Sequence, residues 1–139
     1  MNIALIIAGG SGQRMGQDIP KQFLNVQDKP VIIYTLEAFQ KHPNIDAIEV
    51  VCIEGWHEIL RAYCKQFGIT KLVNIVTGGK NGQDSIRNGV MDIAERYHED
   101  DIILIHDAIR PMVSEEIISD CIRVSSTYGN AITVIPCAE

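Results

Sequence analysis

A glycine-rich segment near the start of the chain has the composition of an anion-binding loop. Gly9–Gly12 contains three glycines in four residues, directly after a short apolar run. Glycines allow positive φ angles and bring backbone N–H groups close to an anion or a planar base. Arg14 and Lys21 follow, and a guanidinium with an ammonium on one loop suits a triphosphate. The segment predicts a nucleotide-binding loop, the alternative being a glycine-rich turn with two solvated bases.

Two familiar nucleotide motifs do not match this segment. The dinucleotide motif G-x-G-x-x-G needs a glycine where the chain has Met15, and its acidic partner would be at best Glu54. The P-loop motif ends in Gly-Lys-Ser/Thr after four spacer residues, and that combination does not occur. What remains is a glycine loop followed by separate cations, of which Lys21 is held by the rigid Pro20.

A second glycine segment lies further along the chain. Gly78 and Gly79 follow another apolar run, and Asp84 and Ser85 stand at the start of a predicted helix. The glycines permit close backbone approach, and Ser85 can hydrogen-bond a ligand or cap the helix. Alone, this pattern indicates only a tight turn followed by a helix cap.

The third segment, His106–Pro111, ends a further apolar run. Asp107 can hold Mg²⁺, which prefers oxygen ligands and bridges protein carboxylates to substrate phosphates. The alternative is a salt bridge between Asp107 and Arg110, which is the interpretation favoured for Arg110. His106 is predicted to be packed or hydrogen-bonded rather than catalytic, because nothing nearby in sequence resembles a nucleophile.

Short apolar runs alternate with amphipathic stretches along the chain, which is typical of repeated βα units. Five runs rich in isoleucine and valine predict buried parallel strands: Ile3–Ala8, Ala47–Ile53, Leu72–Thr77, Ile102–His106 and Ala131–Ile135. The predicted fold class is α/β, a Rossmann-like, mostly parallel sheet with helices on both faces. All three segments described above follow such strands, and ligands of these sheets bind beyond the carboxyl ends of the strands.

Amphipathic stretches between the strands predict helices. Pro30–Lys41 begins with a proline at the first helical position and carries apolar residues on one face. Asp84 or Ser85 can cap a later helix, and Ser114 the last one. About twenty residues, Gly9–Lys29, show no periodicity, and a loop of that length inside a domain is usually functional.

The composition fits one compact domain that binds neither nucleic acid nor membrane. The chain has 139 residues, 46% of them hydrophobic, and a net charge of −6 without any basic stripe. The first 70 residues carry six Lys and Arg against seven Asp and Glu, and the remainder six against eleven. An anion is therefore expected in the N-terminal half. No apolar run approaches the roughly 20 residues of a membrane span, and no signal peptide is recognised, so we expect a cytoplasmic protein.

Cysteine spacing argues against a disulfide framework or a zinc site. Cys52, Cys64, Cys121 and Cys137 include no Cys-x-x-Cys pair, and the four histidines form no ligand spacing with them. Reduced, partly buried thiols are predicted.

Taken in chain order, four segments resemble the 2-C-methyl-D-erythritol 4-phosphate cytidylyltransferases and the related ribitol-5-phosphate cytidylyltransferases. They are Ala8–Gly16, Pro20–Leu24, Gly78-Gly79 with Asp84-Ser85, and His106–Pro111. The first segment alone indicates only the wide nucleotidyltransferase superfamily. The second and fourth segments narrow the resemblance to the cytidylyltransferases. The resemblance covers essentially the whole chain.

The resemblance implies that a phosphate oxygen of a polyol phosphate attacks the α-phosphorus of CTP and releases pyrophosphate. Arg14 and Lys21 are then the catalytic residues, which stabilise charge developing on the α-phosphate and the leaving group. Mg²⁺ is the implied cofactor, bound by Asp107, and Asp107 and Arg110 are implied to contact the acceptor. The residues implied to hold the nucleotide are Ala8, Gly9, Gly10, Ser11, Gly12, Gly79, Ser85 and Ala108.

The acceptor implied first is 2-C-methyl-D-erythritol 4-phosphate, used in isoprenoid precursor synthesis, because Ser85–Gly89 resembles that group. Ile109 and Phe23 instead resemble the ribitol enzymes of cell-wall or capsule polymer synthesis, which are the alternative. Gly82 stands where the family often has an arginine, which would remove one nucleotide contact. Two further hypotheses are another nucleotidyltransferase, for instance one acting on hexose 1-phosphate, and a non-catalytic nucleotide-binding module.

On this interpretation residues 1–139 form a single nucleotide-binding domain. Glu139 comes just after the last predicted strand, and no helix follows to cover that strand, so the chain resembles the N-terminal part of a longer cytidylyltransferase. In the family a further segment supplies a polyol-binding arm and dimer contacts, which implies a homodimer for the full-length protein. Residues 1–139 alone are expected to bind nucleotide weakly and not to catalyse.

Overall fold

Four parallel strands form the central sheet of the computed structural model, which describes residues 1–10 and 19–135. In chain order the strands of this part are β1 (Asn2–Ala8), β2 (Asn25–Val26), β3 (Lys29–Pro30), β4 (Ala47–Cys52), β5 (Leu72–Thr77) and β6 (Ile102–Asp107). The helices are α1 (Val31–Lys41), α2 (His57–Gln66), α3 (Gly82–Arg96) and α4 (Glu115–Tyr128), and a 3-10 turn spans Lys21–Phe23. Ser11, Gly12 and Arg14, predicted above as site residues, lie outside the described residues.

The strand order of the main sheet is β5-β4-β1-β6, and each neighbouring pair is parallel. The registers align the strand ends, because Ala8 lies opposite Cys52, Cys52 opposite Thr77, and Ile7 opposite Asp107. All four strands therefore end at one edge of the sheet. The parallel α/β architecture predicted from the sequence is confirmed.

Alternate residues of β1 point to opposite faces of the sheet. Ala4 and Ile6 belong to the core that is shared with α1, α2 and α4, whereas Ile3 and Leu5 belong to the core shared with α3. All four are fully buried, and each buried large aliphatic side chain contributes about 1.5–3 kcal/mol to stability. The helices thus cover both faces of the sheet, as predicted.

Local helix signals were informative at two of the helices. Ser114 caps α4, its hydroxyl oxygen accepting a 3.2 Å hydrogen bond from the Ile117 N–H, which confirms the prediction. Pro30 was predicted to be the first helical residue of α1. It is the N-cap residue instead, and the helix begins one residue later, at Val31. None of the described helices is long and apolar enough to cross a bilayer.

The predicted cap of α3 was wrong. Asn81 is the N-cap, and its side-chain oxygen accepts a 2.8 Å hydrogen bond from the N–H of Asp84. Helix α3 consequently begins at Gly82, before the predicted caps Asp84 and Ser85. The hydroxyl of Ser85 is used elsewhere, because it accepts a hydrogen bond from the Gly79 N–H.

The fifth predicted strand, Ala131–Ile135, is also wrong for the described residues. This segment pairs with none of the described strands, and Ile132, Val134 and Ile135 are 84%, 78% and 87% exposed. An apolar run becomes a strand only where a neighbouring strand satisfies its backbone hydrogen bonds. Among the described strands, β6 pairs only with β1.

The stretch predicted as an aperiodic loop, Gly9–Lys29, contains regular structure where it is described. The 3-10 turn is followed by an antiparallel hairpin of β2 and β3, whose tip residues Gln27 and Asp28 have positive φ angles of 52° and 66°. These elements are two or three residues long. Hydrophobic periodicity cannot reveal elements that short.

One carboxyl group is buried between the sheet and α3. Glu49 on β4 is fully buried, and neither of its carboxyl oxygens has a hydrogen-bond donor among the described residues. Its neighbour Asp92 accepts 2.9 Å hydrogen bonds from Asn74 and from Arg96. Burial, reinforced by Asp92, raises the pKa of Glu49 to about 8. Glu49 therefore holds its proton at pH 7.

Candidate functional site

The three segments predicted to carry chemistry meet at the carboxyl edge of the sheet. Gly9 follows β1, Gly78 follows β5, and Asp107 is the last residue of β6. Because the parallel registers bring these strand ends to one edge, the convergence predicted from the sequence is confirmed. This edge is where an α/β sheet binds its ligand.

The two glycine turns are in backbone contact. A Cβ atom added at Gly78 would lie 2.9 Å from the Cα of Gly9, and one added at Gly9 would lie 2.7 Å from the Ser85 hydroxyl oxygen. Real Cβ atoms essentially never make such contacts. Glycine is therefore required at Gly78 for the turn after β5 to touch the loop after β1, whereas a side chain at Gly9 would have to displace the Ser85 hydroxyl.

Ser85 connects this contact to α3. It is 2% exposed, in the first turn of the helix, and its Oγ accepts a 3.0 Å hydrogen bond from the N–H of Gly79. The hydroxyl proton of Ser85 can in turn be donated to a ligand. Ser85 thus fixes the predicted nucleotide-binding residue Gly79 relative to α3.

Lys21 opens the 3-10 turn and is exposed to solvent. Its neighbours anchor the turn: Pro20 is buried, and the 4%-exposed ring of Phe23 stacks on Trp56, with 4.8 Å between ring centroids. Among the ion pairs of the described residues, none includes Lys21. The turn therefore presents an ammonium group from a fixed backbone.

Gln22, beside Lys21, is 3% exposed and contacts the glycine loop directly. Its side-chain nitrogen donates a 2.8 Å hydrogen bond to the carbonyl of Ala8 and a 2.9 Å hydrogen bond to that of Gly10. No role was predicted for Gln22 from the sequence. Its immediate neighbours are the exposed Lys21 and the buried Phe23, so the burial of this amide could not have been inferred from the local sequence.

Asp107 and Arg110 form the salt bridge that the sequence analysis favoured for Arg110. The Nε of Arg110 donates a 2.9 Å hydrogen bond to Asp107 Oδ2, and the two side chains are 73% and 53% exposed. His106 Nε2 lies 2.8 Å from the carbonyl oxygen of Arg110, and its ring packs against Phe39. The prediction that His106 is packed or hydrogen-bonded is confirmed, and the structure shows both contacts.

Ala108 is held in place by two buried hydrogen bonds. Its N–H donates to the carbonyl of Ile7 at 3.0 Å, and its carbonyl accepts from the hydroxyl of Thr35 at 2.7 Å. Sequence reasoning missed Thr35. The available signal was a hydroxyl on the apolar face of α1, between Ile32 and Phe39.

The acidic side chains of the described residues fit only a magnesium site in which substrate phosphates supply further ligands. Among the described residues, no group of three or more His, Cys, Asp or Glu side chains is arranged to hold a metal ion. Mg²⁺ is commonly bound by one or two carboxylates together with substrate phosphates. The exposed carboxylate of Asp107 fits an ion that arrives with a nucleotide.

Comparisons with known proteins agree with this architecture. The family model described as "IspD: 2-C-methyl-D-erythritol 4-phosphate cytidylyltransferase" matches residues 2–139. A ribitol-5-phosphate cytidylyltransferase of Lacticaseibacillus paracasei is 48% identical over 139 residues, which are 100% of this chain and 59% of the relative. A 2-C-methyl-D-erythritol 4-phosphate cytidylyltransferase of Clostridium botulinum is 40% identical over 136 residues, 97% of this chain and 58% of the relative.

A solved structure gives the same result in three dimensions. A crystal structure of 4-diphosphocytidyl-2C-methyl-D-erythritol synthase aligns with a TM-score of 0.75 at 28% identity, covering 91% of this chain and 55% of that one. The chain therefore spans a little under three-fifths of the length of the relatives it matches.

Proposed function

The chain belongs to the family of 2-C-methyl-D-erythritol 4-phosphate cytidylyltransferases, and from that premise we propose that the full-length protein transfers CMP from CTP to a polyol phosphate. One observation carries the proposal. In a chain that the family model matches over residues 2–139, Gly9, Gly78 and Asp107 meet at the carboxyl edge of the sheet.

In the proposed reaction a phosphate oxygen of the acceptor forms a bond to the α-phosphorus of CTP. The bond from that phosphorus to the bridging oxygen breaks, and pyrophosphate leaves. Such chemistry depends on positioning and on neutralising charge rather than on a strong base. We assign charge stabilisation to Lys21 and Arg14, which is supported for Lys21 by its exposure on an anchored turn.

The two glycine turns are assigned to nucleotide binding. The loop after β1 and the turn after β5 touch through Gly9 and Gly78, which brings backbone groups of both within reach of one ligand. Ser85 and Ala108 are assigned the same role, because each is fixed by hydrogen bonds at this edge. Ser11 and Gly12 complete the proposed set.

Mg²⁺ is proposed as the cofactor, held by Asp107 together with nucleotide phosphates. When bound, it would neutralise phosphate charge. The chain's own contribution is to position the carboxylate, since Asp107 is the last residue of β6 and contacts Arg110. We keep acceptor binding by Asp107 and Arg110 as part of the proposal.

The proposed acceptor is 2-C-methyl-D-erythritol 4-phosphate, because the matching family model carries that substrate in its name. The aligned crystal structure is named for 4-diphosphocytidyl-2C-methyl-D-erythritol, the CDP-alcohol that transfer of CMP to this acceptor would give. Ribitol 5-phosphate is the second candidate, favoured by 48% identity to the L. paracasei enzyme against 40% to the C. botulinum enzyme. The full-length enzyme is further proposed to be a cytoplasmic homodimer, on the resemblance to the family.

The test is pyrophosphate release by the full-length protein with CTP and each acceptor in turn. We expect turnover with CTP. We also expect kcat/KM for one acceptor to exceed kcat/KM for the other by at least about 100-fold. A second panel replaces CTP with UTP, GTP or dTTP and supplies a hexose 1-phosphate. Turnover only in that second panel would show another nucleotidyltransferase, and CTP binding without any turnover would show a non-catalytic module.

A further inference from the structure

We propose that Gln22 is a positioning residue that holds the glycine loop in its nucleotide-binding conformation and couples it to Lys21. The inference rests on the proposed function. It gives a role to a residue that received none from the sequence motifs or from the family resemblance. It starts from one contact, in which the side-chain amide of Gln22 bridges the carbonyls of Ala8 and Gly10.

The chemistry of the contact fixes which way the amide points. Both partners are carbonyl oxygens, which only accept, so the two N–H bonds of the Gln22 amide must face them. One amide nitrogen therefore satisfies two carbonyls on either side of Gly9. The Ala8 carbonyl also accepts a 3.2 Å hydrogen bond from the N–H of Ile53, which connects the bridge to the end of β4.

The two hydrogen bonds from the Gln22 amide restrain Gly9 and Gly10, which have the most backbone freedom in this part of the loop. Glycine has more backbone freedom than any other residue, so Gly9 and Gly10 need external partners to hold one conformation. Within the described residues, their N–H groups donate no backbone hydrogen bond. With the carbonyls of Ala8 and Gly10 bound to Gln22, those N–H groups remain as donors for a ligand.

The same residue connects the loop to Lys21. Gln22 lies in the 3-10 turn Lys21–Phe23, whose backbone is closed by hydrogen bonds from Phe23 N–H to Pro20 at 2.9 Å and from Leu24 N–H to Lys21 at 3.1 Å. Phe23 is stacked on Trp56, so the turn cannot shift without breaking a buried contact. Gln22 therefore sets the distance between the Lys21 backbone and the glycine loop.

Two near-isosteric substitutions in the full-length protein test the role. Gln22→Met removes both donors and keeps the length of the side chain, and Gln22→Glu places carboxylate oxygens against the two carbonyls. We expect Gln22→Met to raise KM for CTP and lower kcat, each on the order of tenfold, with a larger loss for Gln22→Glu. The same changes at Gln66, which is exposed at the end of α2, are the matched control and should leave both constants unchanged.

A readout that needs no variant keeps the test independent of folding. In the wild-type protein, the side-chain amide protons of Gln22 should exchange with solvent far more slowly than those of Gln66, and their NMR signals should shift on addition of CTP. Exchange as fast as that of Gln66 would overturn the bridge. Folded Gln22→Met with wild-type KM and kcat would overturn the positioning role, even if its Tm were lower. Absence of CTP binding and turnover in the wild type would instead refute the proposed function itself.

Discussion

The hydroxyl of Thr35 donates a 2.7 Å hydrogen bond to the carbonyl of Ala108, across 73 residues of sequence. Both residues are buried, at 0% and 1% exposure, so water cannot replace the bond if it is lost. Helix α1 is thereby attached to the residue that follows Asp107, the last residue of β6.

Replacing Thr35 with valine should destabilise the protein by about 1–2 kcal/mol, because the buried Ala108 carbonyl loses its donor while the side-chain shape is kept. Urea unfolding of the full-length protein measures the difference. Thr127→Val is the matched control, since Thr127 is exposed on α4 and its hydroxyl donates to the carbonyl of Arg123 within the same helix. Equal losses at the two positions would contradict the argument.

Replacing Lys21 or Arg14 with alanine should reduce kcat by about 10²–10³, because each change removes a preorganised positive charge from the reacting phosphates. Pyrophosphate release from CTP measures the effect. Lys65→Ala, at an exposed position of α2, should leave turnover unchanged. Rates near that of the wild type for Lys21→Ala would withdraw its catalytic assignment.

Replacing Asp107 with asparagine should abolish the part of CTP affinity that depends on Mg²⁺, a loss of about tenfold or more for a direct metal ligand. Calorimetry of CTP binding with and without Mg²⁺ measures it in the full-length protein. Arg110→Ala tests the salt bridge separately, and it should change stability by less than about 1 kcal/mol because the pair is exposed. Mg²⁺-independent binding in the wild type would remove Asp107 from the metal site.

The stability of the protein should fall as pH rises from about 5 through 8, because of Glu49. Burial raises its pKa to about 8, far above the ordinary value of 4.5 that the unfolded chain recovers. Between these values the folded state keeps a proton that the unfolded state releases, so raising the pH favours unfolding. The contribution is complete below about 4.5 and is lost above the folded pKa.

Urea midpoints between pH 5 and 9 measure this dependence. Glu49→Gln keeps a neutral side chain and should flatten the curve, whereas Glu95→Gln, at an exposed position of α3, should follow the wild type. At low pH, the contribution of Asp92 to stability changes in the opposite direction. Although burial alone would raise its pKa, the adjacent Glu49 carboxyl and the hydrogen bonds from Asn74 and Arg96 hold the pKa of Asp92 below its ordinary value, so its contribution is lost as pH falls. A parallel slope in Glu49→Gln and wild type would exclude Glu49 as the source.

The parts of the fold that depend on local chemistry could be predicted from the sequence. Runs of isoleucine and valine identify β1, β4, β5 and β6 as strands. The predicted burial on both faces holds for β1 and β4, whereas β5 and β6, at the two sides of the described sheet, are partly exposed. Ser114 could be identified as a cap because its partner, Ile117, is three residues away. The shared edge of Gly9, Gly78 and Asp107 followed from the geometry of parallel strands.

The contacts between distant segments could not be predicted. Ser85 looks like a helix cap until its hydroxyl meets Gly79 through the packing of two turns, and the true cap, Asn81, has the same local chemistry. Gln22 and Thr35 act on carbonyls 12 to 73 residues away, which no periodicity encodes. Ala131–Ile135 has the composition of a strand, but pairing depends on a neighbour rather than on composition.

Because Phe23 stacks on Trp56, the fluorescence of this tryptophan can report on changes at the site. The chain contains one tryptophan beside four tyrosines, so fluorescence excited selectively at tryptophan arises from a single indole, whose stacking partner Phe23 is two residues from Lys21. Any movement of the 3-10 turn relative to the start of α2 alters the environment of that indole. The unlabelled protein therefore carries its own reporter for the arrival of a nucleotide.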